Sequence, residues 1–172
     1  MTRPVQADPV LGLVASSCGG VESRFVTEIA EPAALRGWRL AITLTPTAHR
    51  WLTITGELER LRALTDLPVR SESRLPGEDR PHPDPAVFLF APASAGSVAK
   101  LALGLADNQA TTVLGDALGE PGVRMIVGYQ VRDSRFGHPA WRGHLDALAS
   151  AGVTTSRLAV DRPWTGVLDL LP

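Results

Sequence analysis

The sequence has few of the residues that cross-link a chain or carry it into a membrane. Its single cysteine, Cys18, excludes an internal disulfide and a cysteine-rich metal site, and no metal site is predicted. No apolar run approaches the roughly 20 residues that span a bilayer. The N-terminal segment MTRPVQADPVLGLVASS lacks the long apolar core of a signal peptide. We therefore expect a cytoplasmic protein with no membrane partner.

Excess charge of one sign is also missing. The formal net charge is -1, so the chain has no broad electrostatic attraction for nucleic acid. The hydrophobic content of 44% and the charged content of 20% are ordinary for a globular protein. A chain of 172 residues predicts one domain with a real core over residues 1–172, of which residues 1–8 form a loose arm.

The segment from Ala86 to Leu114 organises the rest of the prediction. Its apolar run Ala86–Ala91 is typical of a strand that is buried on both faces. A tight turn at Pro92–Ser97 and a helix are predicted next, and then a second polar, small-residue segment at Ala106–Thr112. A strand that leads through such a turn to a helix N-terminus favours an anion or cofactor site. The first-turn N–H groups are unpaired there, and the helix dipole adds positive charge.

A similar pattern occupies the N-terminal part of the chain. Val10–Ala15 and Arg39–Leu44 predict two parallel strands joined by a helix that Pro32 interrupts. The Ser- and Gly-rich turn after the first strand suits a phosphate, with an ordinary turn as the alternative. It lacks the three-glycine spacing of dinucleotide sites, so NAD is not favoured. Thr47 is predicted to cap a helix over Ala48–Leu64.

The remaining segments are less regular. Residues 66–85 contain five prolines and predict a long loop, because proline interrupts helices and strands. The other predicted elements are a short strand at Pro68–Arg70, a loop at Gly115–Gly122, a strand at Val123–Val127, a helix at His138–Leu148 and a last strand at Val153–Val160.

Three segments resemble the flavin-dependent cysteine decarboxylases, a family that includes phosphopantothenoylcysteine decarboxylase and the peptidyl-cysteine decarboxylases of lantibiotic synthesis. They are PASAGSVAKLALGLADNQATTVL, the Thr45-Pro-Thr-Ala segment and the ending that begins at His138. The resemblance covers roughly Val10 to Val153. It implies an α/β, flavodoxin-like or Rossmann-like three-layer sandwich with a mainly parallel sheet, and FMN as cofactor. It also implies a homo-oligomer, a trimer or an assembly of trimers, with the flavin at a subunit boundary.

The resemblance further implies which residues hold the flavin. They are Ser16, Ser17, Thr45, Thr47, Pro92, Ala93, Ser94, Ala95, Ser97, Asp107 and Asn108. Ser16, Ser17 and Thr47 are expected at the phosphate. Ser94 and Asn108, with Ala95, are expected near the ring or the ribityl chain. Gly96 departs from the family, which has Asn at that position.

The chain also departs from the family where substrate is handled. The position that matches the family's catalytic His falls near Glu78, so His82 is the nearest candidate base, with a plain surface role as the alternative. Arg132 stands in place of the family's carboxylate-binding Asn. Arg132 and Arg135 are therefore predicted to bind substrate.

Two alternative roles follow from the residues themselves. Arg132 and Arg135 could instead be solvated surface residues or ion-pair partners of Asp133 and Asp146. Cys18, in a turn after a strand, is more typical of a small packing residue than of a reactive thiol.

The expected function is that of an FMN-binding flavoprotein, with oxidative decarboxylation of a small-molecule or peptide thiol as the leading reaction. A catalytically inert FMN-binding or regulatory flavoprotein and a prenyl-flavin-type transferase of the same fold are the alternatives. Because a positioned proton-transfer group contributes about 100- to 10,000-fold in rate, we do not expect efficient turnover of an ordinary C-terminal cysteine peptide or of phosphopantothenoylcysteine.

Overall fold

The computed structural model describes residues 9–172, so the predicted arm at residues 1–8 lies outside the described part of the chain. Five parallel strands form one sheet in the order β2-β1-β3-β4-β5. They are β1 (Val10–Ala15), β2 (Arg39–Leu44), β3 (Val87–Ala93), β4 (Arg124–Tyr129) and β5 (Thr154–Arg157). The strand order reverses between β1 and β3, and in such sheets ligands bind beyond the carboxyl ends of the strands at that point.

Helices cover both faces of the sheet. They are α1 (Val21–Phe25), a π-helical turn (Val26–Ala30), α2 (Glu31–Leu35), α3 (Pro46–Thr55), α4 (Glu57–Ala63), α5 (Ala95–Leu103), α6 (Gln109–Gly119) and α7 (Trp141–Ser150). Short 3-10 helices lie at Asp133–Gly137 and Trp164–Leu170. Among the described residues, no helix is both long and apolar enough to cross a bilayer.

The core is divided by the sheet into two apolar clusters. Helices α1–α4 and the C-terminal 3-10 helix pack on one face, where β1 presents Leu11 and Leu13. Helices α5–α7 pack on the other face, where β1 presents Val14 and β3 presents Phe88 and Phe90. This alternation follows from the two-residue period of a strand. The predicted α/β three-layer fold with a parallel sheet is confirmed.

Helix α6 is the largest departure from the predicted elements. Gly115–Gly122 was expected to be a loop, yet the chain is helical through Gly119. Asn108 caps the helix together with Thr111, and buried Ala110, Leu114 and Ala117 repeat at helical spacing. Burial of this stripe outweighs the roughly 1 kcal/mol by which each helical glycine is less favourable than alanine.

Helix starts also differ from the prediction. Thr45, not Thr47, is the N-cap of α3, because Pro46 occupies the first helical position and the Thr45 hydroxyl accepts a hydrogen bond from Ala48 N–H at 3.4 Å. Strand β3 extends through Ala93, and Ser94 caps α5, so the predicted turn at Pro92–Ser97 is shorter.

The remaining predicted boundaries differ by a few residues. Gly56, at φ +80°, separates α3 from α4. The short strand expected at Pro68–Arg70 is a single parallel bridge between Thr43 and Arg70. Helix α7 begins three residues later than predicted, at Trp141, and β5 covers only Thr154–Arg157.

Candidate active site

The carboxyl ends of the first four strands meet at one edge of the sheet. Three backbone hydrogen bonds join the turns there: Thr45 N–H to Ala15 O (3.0 Å), Ser16 N–H to Pro92 O (2.9 Å) and Gln130 N–H to Ala93 O (3.0 Å). These bonds hold together turns that are far apart in the sequence. The predicted cofactor and substrate segments therefore lie at the same edge.

A cavity of about 270 Å³ opens at this edge, and we name it the strand-end cavity. It is lined by Ser17, Cys18, Ser94, Ala95, Gln130, Val131, Arg132, Ser134 and Arg135. Three of the predicted cofactor residues, Ser17, Ser94 and Ala95, thus lie beside the two arginines predicted to bind substrate. Gln130 and Ser134 also line the cavity and were missed. Gln130 is the first residue after β4. Because ligands bind beyond the carboxyl ends of parallel strands, this position could have indicated Gln130 as a cavity residue.

The turn between β1 and α1 offers unpaired donors to this cavity. Within residues 9–172, the backbone N–H groups of Ser17, Cys18, Gly19 and Gly20 make no hydrogen bond. Gly20 has φ +95°, a backbone conformation that favours glycine. These residues are half-buried or exposed, and a run of successive free N–H groups beside hydroxyls and guanidinium groups fits an anionic group such as the phosphate of FMN.

Ser16 is already used by the protein. Its buried hydroxyl accepts a hydrogen bond from Ser94 N–H at 2.6 Å and donates one to Pro92 O at 3.3 Å. We therefore expect Ser16 to contribute to phosphate binding indirectly, by holding the turn after β1 against the turn after β3.

Among residues 9–172, the two arginines at the cavity, Arg132 and Arg135, have no acidic partner. Asp133 is paired with Arg157, and Asp146 lies 3.7 Å from Arg142. Neither Arg132 nor Arg135 forms an ion pair with any carboxylate of the described residues. The alternative that they are partners of Asp133 and Asp146 is therefore wrong. Both side chains are exposed, as the other alternative, a solvated surface role, requires, and both guanidinium groups are also available to an anionic ligand.

The other predicted cofactor residues do not line the strand-end cavity of one chain. Pro92 and Ala93 are buried within β3. Ser97 is buried in the first turn of α5, where its N–H and hydroxyl bind the Ser94 hydroxyl. Asp107 is paired with Lys100 at 2.5 Å, Asn108 caps α6, and Thr45 caps α3 while Thr47 is half-buried in its first turn.

His82 lies in a different part of the molecule. It lines a second cavity, on the face of the sheet, and its Nε2 atom lies 2.7 Å from Pro68 O. Burial lowers the pKa of His82, the hydrogen bond to Pro68 opposes this effect, and Arg70 lowers the pKa further. Within one chain, the structure does not bring His82 to the residues of the strand-end cavity.

Cys18 lies at the strand-end cavity as a neutral thiol. Burial, and to a smaller extent the charge of Glu22, raises its pKa to about 12. Because the thiolate is the reactive form, this environment makes Cys18 a poor nucleophile. The structure thus agrees with a packing role.

An aromatic cluster supports the loop that carries the arginines. The Phe136 ring lies 6.5 Å from Tyr129 and 6.3 Å from Trp141 between centroids. The Arg157 guanidinium lies over Phe136 at 4.6 Å and also pairs with Asp133. Arg157 therefore contacts both ends of the 3-10 helix that follows Arg132.

The fold and the site define an α/β protein with a cavity at the switch point of a parallel sheet. The sequence profile of the Flavoprotein family matches residues 26–167, most of the chain. The chain therefore belongs to the Flavoprotein family, as its resemblance to the cysteine decarboxylases predicted, and this membership supports a flavin as cofactor. No curated protein matches the sequence.

Solved structures with the same fold include two decarboxylases and a protein cage. The FMN-dependent cysteine decarboxylase TvaF from thioviridamide biosynthesis has 24% identity and a TM-score of 0.72, with 94% of each chain covered. A PPC decarboxylase variant has 18% identity and a TM-score of 0.68, covering 94% of this chain and 95% of its own. DmrB from Burkholderia xenovorans, described as a cubic protein cage for redox transfer, has 20% identity, a TM-score of 0.68 and 95% of each chain covered.

Proposed function

We propose that this chain binds FMN at the strand-end cavity and catalyses the oxidative decarboxylation of a cysteine-containing compound or peptide. One observation carries the proposal. Ser17 and Cys18, whose backbone N–H groups make no hydrogen bond within the described residues, line the same cavity as Ser94, Arg132 and Arg135. Family membership and the FMN-dependent decarboxylase TvaF, which has the same fold, support it.

The proposal divides the site into two halves. Ser17 and the turn that follows it hold the phosphate, with Thr47 nearby, and Ser94, Ala95 and Asn108 lie toward the ribityl chain and the ring. When bound, FMN would supply an acceptor for the two electrons that the thiol compound loses as its carboxylate leaves as carbon dioxide.

The arginines define the kind of substrate. Guanidinium groups bind carboxylates and phosphates through paired, charge-assisted hydrogen bonds. A carboxylate held in this way is stabilised as an anion and is harder to expel. We therefore assign Arg132 and Arg135 to a second anionic group of the substrate, one that stays on the product.

We also propose that the protein is a homo-oligomer, a trimer or an assembly of trimers. A cavity of about 270 Å³ is smaller than the 300–1,000 Å³ typical of small-molecule sites. A second copy that closes over the strand ends would enlarge the site and could bring a base to it. A monomeric mass in light scattering at micromolar concentration would contradict this proposal.

A catalytically inert FMN-binding protein is the second candidate. The observation that favours it is the position of His82, which lies in the other cavity and hydrogen-bonds Pro68. Among the described residues, no histidine lines the strand-end cavity.

Two experiments test these proposals. The first is the visible absorbance of the purified protein, with chromatographic identification of the released cofactor. Ser17→Val and Thr47→Val should weaken FMN binding, and Thr53→Val, on the exposed side of α3, is the matched control. A colourless protein that takes up no added FMN contradicts the FMN site.

The second experiment incubates the FMN-loaded protein with C-terminal cysteine peptides that carry or lack an additional acidic residue. Mass spectrometry detects the loss of carbon dioxide and two hydrogens. We expect turnover of the acidic peptides only, reduced by Arg135→Gln and not by Arg142→Gln. FMN binding without turnover of any thiol would favour the inert protein.

A further inference from the structure

The second cavity, which we name the sheet-face cavity, has a volume of about 730 Å³. It lies over β1 and β2, between α6 and the proline-rich segment that leads to β3. Its lining includes Gly12, Ala41 and Thr43 from the sheet, and Arg70 and Gln109 from the walls. It shares no lining residue with the strand-end cavity.

Small side chains explain why the cavity exists. On the opposite face, β1 and β2 present large residues such as Leu11, Leu13 and Ile42, which the helices cover. On this face they present Gly12, Ala41 and Thr43. A Cβ atom at position 12 would lie 2.4 Å from the ring of Phe88, so glycine is required for that ring to cross β1. The floor of the cavity is therefore formed by small and mostly apolar side chains, which leave space above the sheet.

The wall that contains Arg70 and Arg74 carries positive charge that no carboxylate of residues 9–172 pairs with. Arg70 Nη2 donates to Glu72 O, and Arg74 Nη1 donates to Glu78 O, both at 2.8 Å. In residues 9–172, neither guanidinium forms an ion pair. The Nε atom of Arg70 is also buried and has no hydrogen-bond partner. A partly buried cation with only neutral partners favours an anionic ligand.

The charge is distributed unevenly along the cavity. Of the acidic lining residues, Asp84 is paired with Arg80, which also lines the cavity. Asp116 and Glu120 belong to the last turns of α6 and its C-cap, whereas Gln109 belongs to its first turn. Ser73 Oγ donates to Gln109 Oε1 at 2.8 Å, which ties the arginine-bearing segment to that first turn. The positive end of the cavity is therefore the end formed by Arg70, Arg74 and the start of α6, where the helix dipole adds to it.

We propose that the sheet-face cavity is a binding site for a small organic anion. Its carboxylate or phosphate group lies at Arg70 and Arg74, and its apolar body lies over Gly12, Ala41 and Phe88. The volume falls within the range of small-molecule sites. This inference is independent of the proposed function, because the two cavities are separate.

The test uses three aromatic probes with the protein as purified. Benzoate and phenyl phosphate carry the two anionic groups, and benzamide is a neutral molecule of nearly the same shape as benzoate. Binding is measured by titration in amide-resolved NMR spectra. We expect one or both anions to shift the signals of Gly12, Thr43 and Gln109 saturably, and benzamide to bind about ten-fold more weakly or not at all. The visible spectrum of any bound flavin should not change.

Matched variants locate the site. Arg70→Gln should weaken anion binding about ten-fold, and the backbone bonds from Arg70 to β2 do not depend on its side chain. Thr112→Leu should block the cavity from the face of α6. Arg142→Gln, an exposed arginine on α7, should leave binding unchanged. Equal shifts with benzamide, equal affinity in Arg70→Gln, or no saturable shift at these residues would overturn the proposal.

Discussion

Ser16 and Ser94 are joined by the hydrogen bond that brings the two small-residue turns together. Ser94 N–H donates to the Ser16 hydroxyl at 2.6 Å, and that hydroxyl donates onward to Pro92 O. The two residues are 78 positions apart in the sequence. The same bond places Ser94 at the mouth of the strand-end cavity, beside Ser17.

Ser16→Ala should therefore reduce stability by about 0.5–1.5 kcal/mol, because it removes the hydrogen bond to the half-buried Ser94 N–H. Urea unfolding followed by far-UV circular dichroism measures this change. Ser17→Ala is the matched control, since the half-buried Ser17 hydroxyl makes no hydrogen bond within the described residues. Equal stability of the two variants would show that the bond between Ser16 and Ser94 contributes nothing.

Cys18 should react slowly with alkylating reagents. Its pKa is raised to about 12, so at about pH 8 far less thiolate is present than in an unfolded chain, whose cysteine has a pKa near 8.5. We expect iodoacetamide to modify the folded protein at least ten-fold more slowly than the urea-unfolded protein. Intact-mass spectrometry over time measures both rates, and equal rates would contradict the buried thiol.

His82 should make stability depend on pH. Its pKa is lowered in the folded protein, so the unfolded chain binds more protons near and below the ordinary histidine value of 6.5. The stability that the neutral ring contributes is present above that value and is lost as the pH falls through and below it. The difference in unfolding free energy between the protein and His82→Asn should thus shrink from about pH 7 to about pH 5. A difference that is constant or grows on acidification would contradict the assignment.

The sequence predicted the architecture well because the strands carry a strong local signal. Val10–Ala15 is a short apolar run and Arg39–Leu44 is rich in aliphatic residues, and both form strands with those limits. Helix α6 was missed, because its glycines indicate a loop locally and only the tertiary burial of Leu114 and its neighbours makes the helix favourable.

The candidate site could be predicted only in part. Ser17 and Ser94 follow predicted strands, so the topology was enough to bring them together. The availability of Arg132 and Arg135 could not be predicted, because it depends on Asp133 pairing with Arg157, 24 residues further along the chain. The placement of His82 likewise depends on how the proline-rich segment crosses the sheet, for which the sequence contains no periodic signal.

Arg157 should hold the loop that carries the arginines. It pairs with Asp133 and lies over the half-exposed ring of Phe136, so Arg157→Ala removes an ion pair and a cation–π contact. Together these exposed contacts contribute about 1 kcal/mol, which corresponds to about a five-fold increase in local opening. Limited trypsin digestion, followed by peptide mapping, should then show about five-fold faster cleavage after Arg132 and Arg135.

The control for this prediction is Arg142→Ala, which also removes one arginine and one exposed ion pair, with Asp146. It should leave cleavage after Arg132 and Arg135 unchanged, because Arg142 does not contact the 3-10 helix through any hydrogen bond or ion pair of the described residues. Arg157→Lys retains the charge but lacks the planar group that stacks on Phe136. We expect it to restore protection only partly. Faster cleavage in Arg142→Ala than in Arg157→Ala would show that general loss of stability, and not the contacts of Arg157, controls the loop.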